Sequence, residues 1–508
     1  MAAKTLSTLL AGMSTGKVRG DLDTPVTGIS YDSRTTQRGD AFFAIQGEHT
    51  DGHKYIDSAI RAGASAIIHS RRVSAARETI PFVQSSSVRR LLSAAAAAHY
   101  GHPSRALYCI GVTGTDGKST TAYMIYQLLR SLGVAAGFMS TVFVDTGTGV
   151  RKNPLRQSTP ESPEVHQLLA AMRDNGLTHA VVEATSHGLS EKTYRLEDVF
   201  WRGAVFTNLA HEHLEFHGSF ERYRRDKARL FSALDRKSDT GAWGEFGVIN
   251  VDDPSAQVFQ NATERRLFTY SAAGNPADIR AHEIESDERG NRFVVEVEGT
   301  RFGARLSFPG DFNVANALAA LAAAHRASGR PWEEIGTCLE TLKPLPGRMQ
   351  RIDEGQGFDV IVDFAHTPAS FEHVLPAVKS RTSGRLIVVF GSAGERDRGK
   401  RRLQGQVADR FADTIILADE DPRGEPGERI LEEIAAGCRS HERNIDLHLI
   451  PDRREAILRA LKLATAGDAV LLLGKGHETG IIYPDRTIEW DETRIARELL
   501  HEMGYRNG

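Results

Sequence analysis

The chain has little cysteine and no long apolar run. Its three cysteines, Cys109, Cys338 and Cys438, lie far apart among 508 residues and form no Cys-x-x-Cys pair. This spacing argues against a disulfide framework or a zinc ribbon and is typical of a protein in a reducing compartment. No apolar stretch reaches the roughly 18 residues of a transmembrane helix, and the N-terminal sequence lacks the apolar core of a signal peptide. We therefore expect a cytoplasmic protein.

The chain also lacks a surplus of charge of either sign. Its 63 Lys and Arg residues nearly balance 66 Asp and Glu residues, which gives a net charge of −3. We expect neither a nucleic-acid partner nor a membrane partner, because both favour a basic surface. With 40% hydrophobic and 25% charged residues, the composition is typical of a globular protein. At this length we expect about two to four domains.

A glycine-rich loop follows a short apolar strand. The sequence GVTGTDGKST continues the apolar run Tyr108–Val112, and a helix is predicted over Thr120–Ser131. This strand, loop and helix order, with Gly117, Lys118 and Ser119 at the end of the loop, indicates a P-loop. Backbone N–H groups at the start of the helix would hold a phosphate. Lys118 would add a positive charge, and the Ser119 hydroxyl would face Mg²⁺.

Alternating strands and helices predict an α/β protein. One boundary falls where Gly101 and Pro103 end a helix, and a second falls in LKPLPGRMQRI. The predicted domains are residues 1–103, 104–345 and 346–508. The alternation in the second and third domains predicts parallel sheets. The predicted strands are Val26–Tyr31, Ala41–Ile45, Ala66–Ile68, Tyr108–Val112, Ala180–Glu183, Ala204–Asn208, Gly247–Asn250, Val360–Val362, Leu386–Phe390, Thr414–Leu417 and Ala469–Leu473.

A second group of polar residues follows two other predicted strands. Glu183 ends one strand in HAVVEATSHGL, and His211, His213 and His217 follow another in VFTNLAHEHLEFHG. Because parallel strands end at one edge of a sheet, we expect these side chains near the P-loop. A carboxylate and an imidazole can hold a divalent metal there, with Lys227 on the next predicted helix. The alternative is a set of surface histidines and a solvated lysine.

Three polar loops follow strands of the third domain. They are DFAHTP with Asp363 and His366, SAGERDRGKR with Arg396, and GKGHETG with Glu478. Loops that follow parallel strands in this way suggest a second ligand-binding edge facing the first. The run GERDRGKR alone is equally consistent with a solvated, charged surface.

Taken together, these segments resemble the Mur ligases, which build the peptide stem of bacterial peptidoglycan, and above all their MurE type. DSRTTQRGDAFFAIQG resembles the uridine-binding domain of that family, and GTDGKST resembles its phosphate loop. STPES, EATSHGL, FTNLAHEHLEFHG, GDFNVANALAA, LPGRMQRI, DFAHTP, ERDRGKR and GKGHE follow in the family's order. The resemblance covers nearly the whole chain. It implies an N-terminal uridine-binding α/β domain, a central P-loop ATPase-like domain with a parallel sheet, and a C-terminal Rossmann-like domain.

The resemblance also implies sets of site residues. Those around ATP are Gly114, Thr115, Asp116, Gly117, Lys118, Ser119, Thr120, Asn313, Asn316, Arg348, Asp363 and His366. Those around the UDP-muramyl substrate are Ser33, Arg34, Ser158, Thr159, Thr185 and Arg195, the last matched across a difference in segment length. Those around the incoming amino acid are Arg396, Asp421, Pro422, Arg423, Gly474 and Glu478. The implied Mg²⁺ ligands are Ser119, Glu183, His213 and Lys227 as an N-carboxylated lysine, and the implied catalytic residues are Lys118, Lys227, Glu183 and His213.

The activity implied by the resemblance is ATP-dependent amide ligation in cytoplasmic peptidoglycan-precursor synthesis. A diamino acid would be added as the third residue to UDP-N-acetylmuramoyl-L-alanyl-D-glutamate. The D-glutamyl γ-carboxylate would attack the γ-phosphate of ATP, and an amine would displace phosphate from the acyl phosphate. Lys118 and Mg²⁺ would offset the charge between the two anions. We expect a monomer.

The segment DEDPRGEP departs from the Asp-Asn-Pro-Arg pattern of the diaminopimelate-adding enzymes. Arg423 is retained and could pair with a distal carboxylate. Asp421 replaces the amide with a carboxylate, which would repel that carboxylate and attract an ammonium. L-Lysine or L-ornithine and meso-diaminopimelate are therefore both candidates, with a slight preference for the first class. If Asp421 faces solvent, it does not select between these two classes of amino acid.

Two other functions stay open. One is another amide ligase of the same fold, such as folylpolyglutamate synthase, although a folate enzyme has no use for a uridine-binding domain. The other is a nucleotide switch that uses the P-loop without ligation. ATP hydrolysis independent of any UDP-muramyl substrate would favour the switch.

Overall fold

The computed structural model is an α/β protein of three domains, each built on its own main sheet. It describes residues 3–47, 50–71, 80–153, 159–210, 214–236, 244–287, 290–308 and 310–506. The main sheets are formed by residues 18–84, 108–306 and 350–473. Each of these ranges lies inside one of the three domains predicted from the sequence.

The N-terminal domain contains a five-stranded sheet in the order β2-β7-β6-β5-β4 and a separate β1–β3 pair. Its strands are β1 Lys4–Thr5, β2 Val18–Arg19, β3 Pro25–Val26, β4 Gly28–Ser30, β5 Asp40–Phe43, β6 Ala66–His69 and β7 Phe82–Gln84. Its helices are α1 Leu6–Leu9, α2 Ile56–Arg61 and α3 Val88–His99, with a 3₁₀ turn at Gly52–Tyr55. The alanine run forms α3, and Ala95, Ala96 and Ala97 are all fully buried. The small side chains of residues 93–98 let this part of α3 pack between the sheet and the next domain.

The middle domain is built on an eleven-stranded sheet in the order β11-β10-β9-β12-β8-β13-β14-β15-β16-β17-β18. The strands are β8 Tyr108–Thr113, β9 Ala136–Met139, β10 Phe143–Asp145, β11 Arg151–Lys152, β12 His179–Glu183, β13 Gly203–Phe206, β14 Phe246–Asn250, β15 Arg266–Ser271, β16 Ile279–Asp287, β17 Gly290–Val297 and β18 Thr300–Leu306. The helices are α4 Lys118–Ser131, α5 Ser162–Asp174, α6 Ser186–Leu189, α7 Leu214–His217, α8 Phe220–Ser232, α9 Ala256–Gln260, α10 Phe312–Ser328 and α11 Trp332–Cys338. 3₁₀ turns lie at Pro103–Arg105, Ala233–Asp235 and Leu339–Thr341. Helices α4 and α10 cover one face of the sheet, and α5 and α8 cover the other.

The register of the middle sheet determines where its site lies. Strands β12 and β13 flank β8 and run parallel to it. Glu183, the last residue of β12, pairs with Val112, and Phe206 of β13 pairs with Thr113. The P-loop, Glu183 and the segment after β13 therefore leave the sheet side by side at one edge, as expected for parallel strands.

The C-terminal domain is a doubly wound sheet in the order β19-β20-β24-β21-β22-β23. Its strands are β19 Gln350–Ile352, β20 Asp359–Asp363, β21 Leu386–Phe390, β22 Thr414–Leu417, β23 Leu447–Leu449 and β24 Ala469–Leu473, with a small pair, β25 Gly480–Ile482 and β26 Thr487–Glu489. Its helices are α12 Pro368–Lys379, α13 Gly399–Phe411, α14 Gly427–Ala435, α15 Arg453–Leu463 and α16 Glu492–Glu502. Apolar clusters lie on both faces of this sheet, so its central strands are continuous apolar runs.

The sequence predicted many of the parallel strands, but it missed the parallel strands β7, β9, β15 and β23, and it missed antiparallel strands as well. Leu386–Phe390, Thr414–Leu417 and Ala469–Leu473 have the predicted bounds. The predicted strand Val26–Tyr31 is two short strands in different sheets, because Pro25–Val26 pairs with β1. The hairpin β10–β11 and the meander β16–β18 extend the middle sheet with antiparallel strands that were not predicted. Helix α4 begins at Lys118, two residues before the predicted start.

No helix in the described part of the chain is long and apolar enough to cross a membrane.

Candidate functional site

A cavity of about 1440 Å³ lies where the three domains meet. Its wall includes Ser33 of the N-terminal domain, the P-loop of the middle domain and His366 of the C-terminal domain. Residues predicted for three different ligand sets therefore line one space. Such a cavity can hold several substrates together, away from bulk water.

Hydrogen bonds to Asn208 fix the conformation of the P-loop. Residues 112–116, five in all, separate Gly111 from Gly117, one more than the usual spacing of the P-loop pattern. The Asp116 N–H donates to the side-chain oxygen of Asn208 at 2.9 Å, and the Thr115 N–H donates to the Asn208 carbonyl at 2.7 Å. Lys118 lies on the cavity side, where its ammonium donates to the Thr115 carbonyl at 2.6 Å.

Two glycines of the loop have no room for a side chain. Gly114 has φ +151°, and a Cβ there would lie 1.9 Å from the Thr207 hydroxyl oxygen. Gly117 has φ +78°, and a Cβ there would lie 2.4 Å from Oδ1 of Asn316. The loop therefore needs glycine both for its backbone conformation and for close packing.

Asn313 and Asn316 lie behind the P-loop. Oδ1 of Asn316 accepts a hydrogen bond from the Thr121 hydroxyl at 3.1 Å, and its amide nitrogen donates to Asn313 at 3.0 Å. Both asparagines are buried, and neither is among the described residues that line the cavity. In this conformation they support the helix that follows the P-loop. Their predicted position near adenine stays a prediction.

Glu183 faces the cavity from the end of β12. Its Oε2 accepts hydrogen bonds from the Thr141 N–H at 2.9 Å and from the Thr141 hydroxyl at 3.0 Å. Ser119 also lines the cavity. A carboxylate and a hydroxyl are oxygen donors of the kind that Mg²⁺ prefers, so these residues fit the metal. His213, the third predicted ligand, lies outside the described residues, and the described residues contain no group of three His, Cys, Asp or Glu side chains that could hold a metal by themselves.

Lys227 is the most deeply buried cation of the middle-domain site. Its side chain is 1% exposed, its ammonium donates to the Gly114 carbonyl, and it lies 4.7 Å from the ring centroid of Tyr223. The solvated-lysine alternative is therefore wrong. The Tyr223 hydroxyl lies 2.8 Å from the Thr115 hydroxyl, so α8 contacts the P-loop through two residues one helical turn apart. Tyr223 was not predicted as a site residue, although its i, i+4 spacing from Lys227 is visible in the sequence.

The side of the cavity predicted for the UDP-muramyl substrate is a seam between two domains. Thr159 and Thr185 lie with their hydroxyl oxygens 2.7 Å apart. Arg195 donates to the Thr159 carbonyl at 2.9 Å and to Glu161 at 2.8 Å. Arg89 of α3 contacts the same Glu161 carboxylate at 3.2 Å. A buried carboxylate thus holds an arginine from each domain beside the cavity, and neither Glu161 nor Arg89 was predicted from the sequence.

Other residues predicted for that substrate are placed differently. Ser158 lies outside the described residues. Ser33 and Arg34 line the cavity, and Arg34 is largely exposed with its guanidinium 2.6 Å from Asp32. An exposed arginine at a cavity mouth is suited to bind a phosphate.

The C-terminal domain contributes Arg348, His366 and Arg396 to the cavity wall. Asp363, which was predicted beside ATP, lies behind that wall and accepts hydrogen bonds from the N–H groups of Met349 and Ala365, both at 2.7 Å. Burial raises the pKa of Asp363, although the nearby Arg348 and these two N–H donors act in the opposite direction. In this conformation Asp363 shapes the loops that carry Arg348 and His366.

A second cleft, of about 920 Å³, lies between the middle and C-terminal domains. Asp421, Arg423 and Glu478 line it, whereas Arg396, predicted for the same amino acid, lines the first cavity. Pro422 and Gly474 are not among its described lining residues. Gly474, at φ +99°, packs against the side chain of the buried Glu420.

Asp421 does not face solvent. It is 6% exposed, and its Oδ1 lies 3.0 Å from the ammonium of Lys475 and accepts the Ile482 N–H at 3.0 Å. Lys475 also contacts Glu478 at 2.5 Å. Burial alone would lower the pKa of Lys475, but Glu478 and Asp421 raise it overall. Burial raises the pKa of Glu478. The carboxylates of Asp421 and Glu478 therefore share one buried ammonium at the second cleft.

The run GERDRGKR is not simply a solvated surface. Arg401 is fully buried and contacts Glu433 at 2.7 Å and Glu425 at 3.1 Å. The same Glu425 contacts Arg398 at 2.8 Å. These ion pairs fix the loop that presents Arg396 to the cavity.

This fold and site define a three-domain ATP-dependent ligase, in which residues of all three domains line the P-loop cavity and a second, charged cleft lies beside it. Comparisons with known proteins identify the family. The signatures "Mur ligase family, catalytic domain", "Mur ligase middle domain" and "Mur ligase, glutamate ligase domain" match residues 25–106, 112–324 and 347–476. The chain belongs to the Mur ligase family.

Individual relatives match over nearly their full length. A UDP-N-acetylmuramyl-tripeptide synthetase of Treponema denticola is 47% identical over 94% of this chain and 92% of its own. A UDP-N-acetylmuramoyl-L-alanyl-D-glutamate–2,6-diaminopimelate ligase of Clostridium tetani is 36% identical over 96% of this chain and 97% of its own. A solved structure of a UDP-N-acetylmuramoyl-L-alanyl-D-glutamate–2,6-diaminopimelate ligase superposes with a TM-score of 0.65 at 29% identity, covering 99% of this chain and all of that one.

Proposed function

We propose that the chain adds a diamino acid to UDP-N-acetylmuramoyl-L-alanyl-D-glutamate, with ATP as the energy source, in the cytoplasm. The observation that carries the proposal is the convergence of the P-loop, Glu183 and Lys227 on one cavity that the N-terminal domain also lines. A simple nucleotide switch has no use for the second, charged cleft beside that cavity. The names of the relatives support the same reaction.

The proposed chemistry begins with phosphoryl transfer. An oxygen of the D-glutamyl γ-carboxylate attacks the γ-phosphorus of ATP, the bond from that phosphorus to the bridging oxygen breaks, and ADP leaves. Carboxylate itself is a poor acyl donor, so the acyl phosphate supplies a good leaving group. The amine nitrogen then attacks the acyl carbon, phosphate leaves with its oxygen, and the nitrogen loses a proton. Lys118 faces both anions of the first step and offsets their charge.

The cavity wall contains residues that can bind the metal ion that this chemistry needs. Glu183 and Ser119 would hold Mg²⁺, together with His213. When bound, the ion would neutralise charge on the phosphate oxygens. Thr141 keeps the Glu183 carboxylate oriented toward that position by its two hydrogen bonds.

We also propose that Lys227 works in its N-carboxylated form. The lysine ammonium first loses a proton, and the neutral amine then takes up carbon dioxide and loses a second proton, so that a cation becomes a carbamate anion. Lys227 is buried beside the P-loop carbonyl of Gly114, where such a carboxylate would add oxygen donors to the same wall. Exclusion of water at this position would protect the carbamate from hydrolysis.

For the amine, two classes of diamino acid are candidates. Asp421 and Glu478 in the second cleft favour a substrate whose distal end is a lone ammonium, such as L-lysine or L-ornithine. Arg423 favours one with a distal carboxylate, such as meso-diaminopimelate. We prefer the first class, because the two carboxylates of Asp421 and Glu478 face one buried lysine there.

One experiment tests the reaction and the amine together. Purified protein is incubated with the UDP-muramyl dipeptide, ATP, Mg²⁺ and each candidate amino acid, and the product is weighed by mass spectrometry. We expect a UDP-muramyl tripeptide with lysine or ornithine. No tripeptide with any amine would overturn the function, and product with diaminopimelate alone would overturn the preferred amine class. ATP hydrolysis that is equal with and without the UDP-muramyl substrate would favour a switch.

A further inference from the structure

Thr141 lies where the two cavities meet. It follows β9 at the turn into β10, and it lines both the P-loop cavity and the second cleft. Under the proposed function, the carboxyl to be activated lies on one side of this residue and the amine arrives on the other. The reacting nitrogen must therefore pass this point.

Thr141 also controls the position of Glu183. Its N–H and its hydroxyl bond to the same carboxylate oxygen, at 2.9 Å and 3.0 Å. Two donors from one residue fix the position of that oxygen and the orientation of the Glu183 carboxylate. The backbone N–H is the more rigid donor, because it can move only if the whole turn moves. Hydrogen bonds of this kind orient ligating carboxylates in metal sites.

Hydrogen bonds restrain the turn between β9 and β10, which carries Thr141. The Ser140 hydroxyl accepts the N–H groups of Val142 and Phe143, each at 3.1 Å. The Ser140 carbonyl accepts the side-chain amide of Asn153 at 2.7 Å. The neighbouring Lys152 contacts Asp491 of the C-terminal domain at 2.8 Å. An unbroken series of contacts thus runs from the start of α16 to Glu183.

We propose that Thr141 is a positioning residue for both half-reactions. It holds Glu183 in place for phosphoryl transfer, and it forms the junction through which an amine bound in the second cleft reaches the activated carboxyl. The part of the proposal that concerns passage of the amine, the amine half, rests on the proposed function. The part that concerns the orientation of Glu183, the Glu183 half, rests only on the contacts of Thr141 and on the oxygen donors beside it.

The test uses two substitutions and a matched control. Thr141→Val keeps the shape and the backbone donor but loses the hydroxyl, whereas Thr141→Ser keeps the hydroxyl. The control is Thr269→Val, because the Thr269 N–H and hydroxyl also bond to one carboxylate oxygen, that of Asp278, at 2.7 Å and 2.8 Å. Thr269 is in the same domain but lines neither cavity among the described residues.

The first readout is Mn²⁺ affinity in the presence of ADP, measured by electron paramagnetic resonance without turnover. We expect Thr141→Val to bind Mn²⁺ about tenfold more weakly, the lower end of the effect seen for partners of metal ligands. Thr141→Ser and Thr269→Val should bind like the unmodified chain. Unchanged affinity in Thr141→Val, equal weakening in Thr269→Val, or no Mn²⁺ binding by the unmodified chain would each overturn the Glu183 half.

The second readout is steady-state kinetics with the amine found to be the substrate. We expect Thr141→Val to lower kcat and to raise the KM for the amine, with the KM for ATP changed less than about twofold. An unchanged amine KM together with a raised ATP KM would overturn the amine half. If the unmodified chain forms no tripeptide, the proposed function fails, and the Mn²⁺ comparison still decides the role of Thr141 toward Glu183.

Discussion

The ammonium of Lys475 lies 3.0 Å from a carboxylate oxygen of Asp421, and both side chains are buried at the end of the second cleft. Lys475 follows β24, and Asp421 follows β22, so the contact joins loops from two strands of the sheet. The charge of Asp421 is therefore not simply offered to a substrate. It is shared with a lysine that also contacts Glu478.

The first prediction concerns Asp421→Asn. Removing this charge leaves Lys475 with one carboxylate in place of two, so the pocket becomes less attractive to a lone distal ammonium and more attractive to a distal carboxylate. We expect the KM for lysine or ornithine to rise about tenfold, which corresponds to roughly 1.4 kcal/mol, and the KM for diaminopimelate to fall. Asp485→Asn, at a largely exposed position in the same domain, is the control for the same change of charge. An unaltered ratio of the two KM values would contradict the prediction.

The second prediction concerns Lys227→Ala. Under the proposed function, Lys227 supplies a carbamate that binds the metal, so its loss should abolish ligation. Lys227 is buried against Gly114 and Tyr223, and the substitution leaves the P-loop glycines in place. Short carboxylates such as formate or acetate should restore part of the activity if the lysine supplies a carboxylate. Lys462→Ala, at an exposed position of α15, should have no effect. Full activity in Lys227→Ala would exclude the assignment, and loss of activity without rescue would argue against the carbamate.

The third prediction compares two glycines with nearly the same positive φ. Gly117 and Gly133 have φ of +78° and +77°, but only at Gly117 would a Cβ meet a neighbour, Asn316, at 2.4 Å. Gly133→Ala should cost only the backbone strain, about 1–2 kcal/mol of unfolding free energy. Gly117→Ala should in addition displace the P-loop and raise the dissociation constant for ATP more than about tenfold. Isothermal titration of ATP into both variants makes the comparison, and equal ATP affinity would show that the clash is relieved without moving the loop.

The fourth prediction concerns the pH dependence of stability at Glu425. Hydrogen bonds from Arg401 lower the pKa of Glu425 from its ordinary 4.5 to about 2. Since the folded-state pKa is the lower one, the stabilisation is fully present above pH 4.5 and is lost as the pH falls toward 2. Glu425→Gln should therefore lower the urea midpoint clearly at pH 7 and much less at pH 3.

The control for that prediction is Glu432→Gln on α14, the helix that begins two residues after Glu425. Glu432 contacts Arg443 but is more than half exposed, so its ion pair should contribute little at either pH. If the midpoint difference between Glu425→Gln and the unmodified chain were the same at pH 7 and pH 3, packing and not charge would explain the effect.

Much of the fold could be predicted because its signals are local. The central strands of the C-terminal sheet are buried on both faces, so they are short apolar runs with clear ends. The antiparallel strands β10, β11 and β16–β18 were missed because they lie toward the edges of the sheet and carry mixed polar and apolar residues. Val26–Tyr31 was predicted as one strand because no local signal shows that Pro25–Val26 pairs with the distant β1.

The site was predictable to a similar degree. Lys118, Glu183 and Lys227 line one cavity, in agreement with their predicted positions at the ends of parallel strands and on the next helix. Thr141, Glu161 and Tyr223 were missed, since each acts through a partner 34 to 108 residues away in the chain. Asp363, in contrast, was predicted as a site residue but does not line the cavity among the described residues. Its predicted position beside ATP rests on the resemblance, whereas its contacts are with the backbone N–H groups of Met349 and Ala365.

The amino-acid sequence by itself determined the three-domain α/β class, the P-loop and the family, because these depend on apolar periodicity and on short motifs in a fixed order. It did not decide whether Asp421 faces solvent, whether Lys227 is solvated, or which residue joins the two cavities. Those answers depend on burial and on contacts between segments distant in sequence. Only the packed tertiary structure brings Lys475 to Asp421 and Thr141 to Glu183.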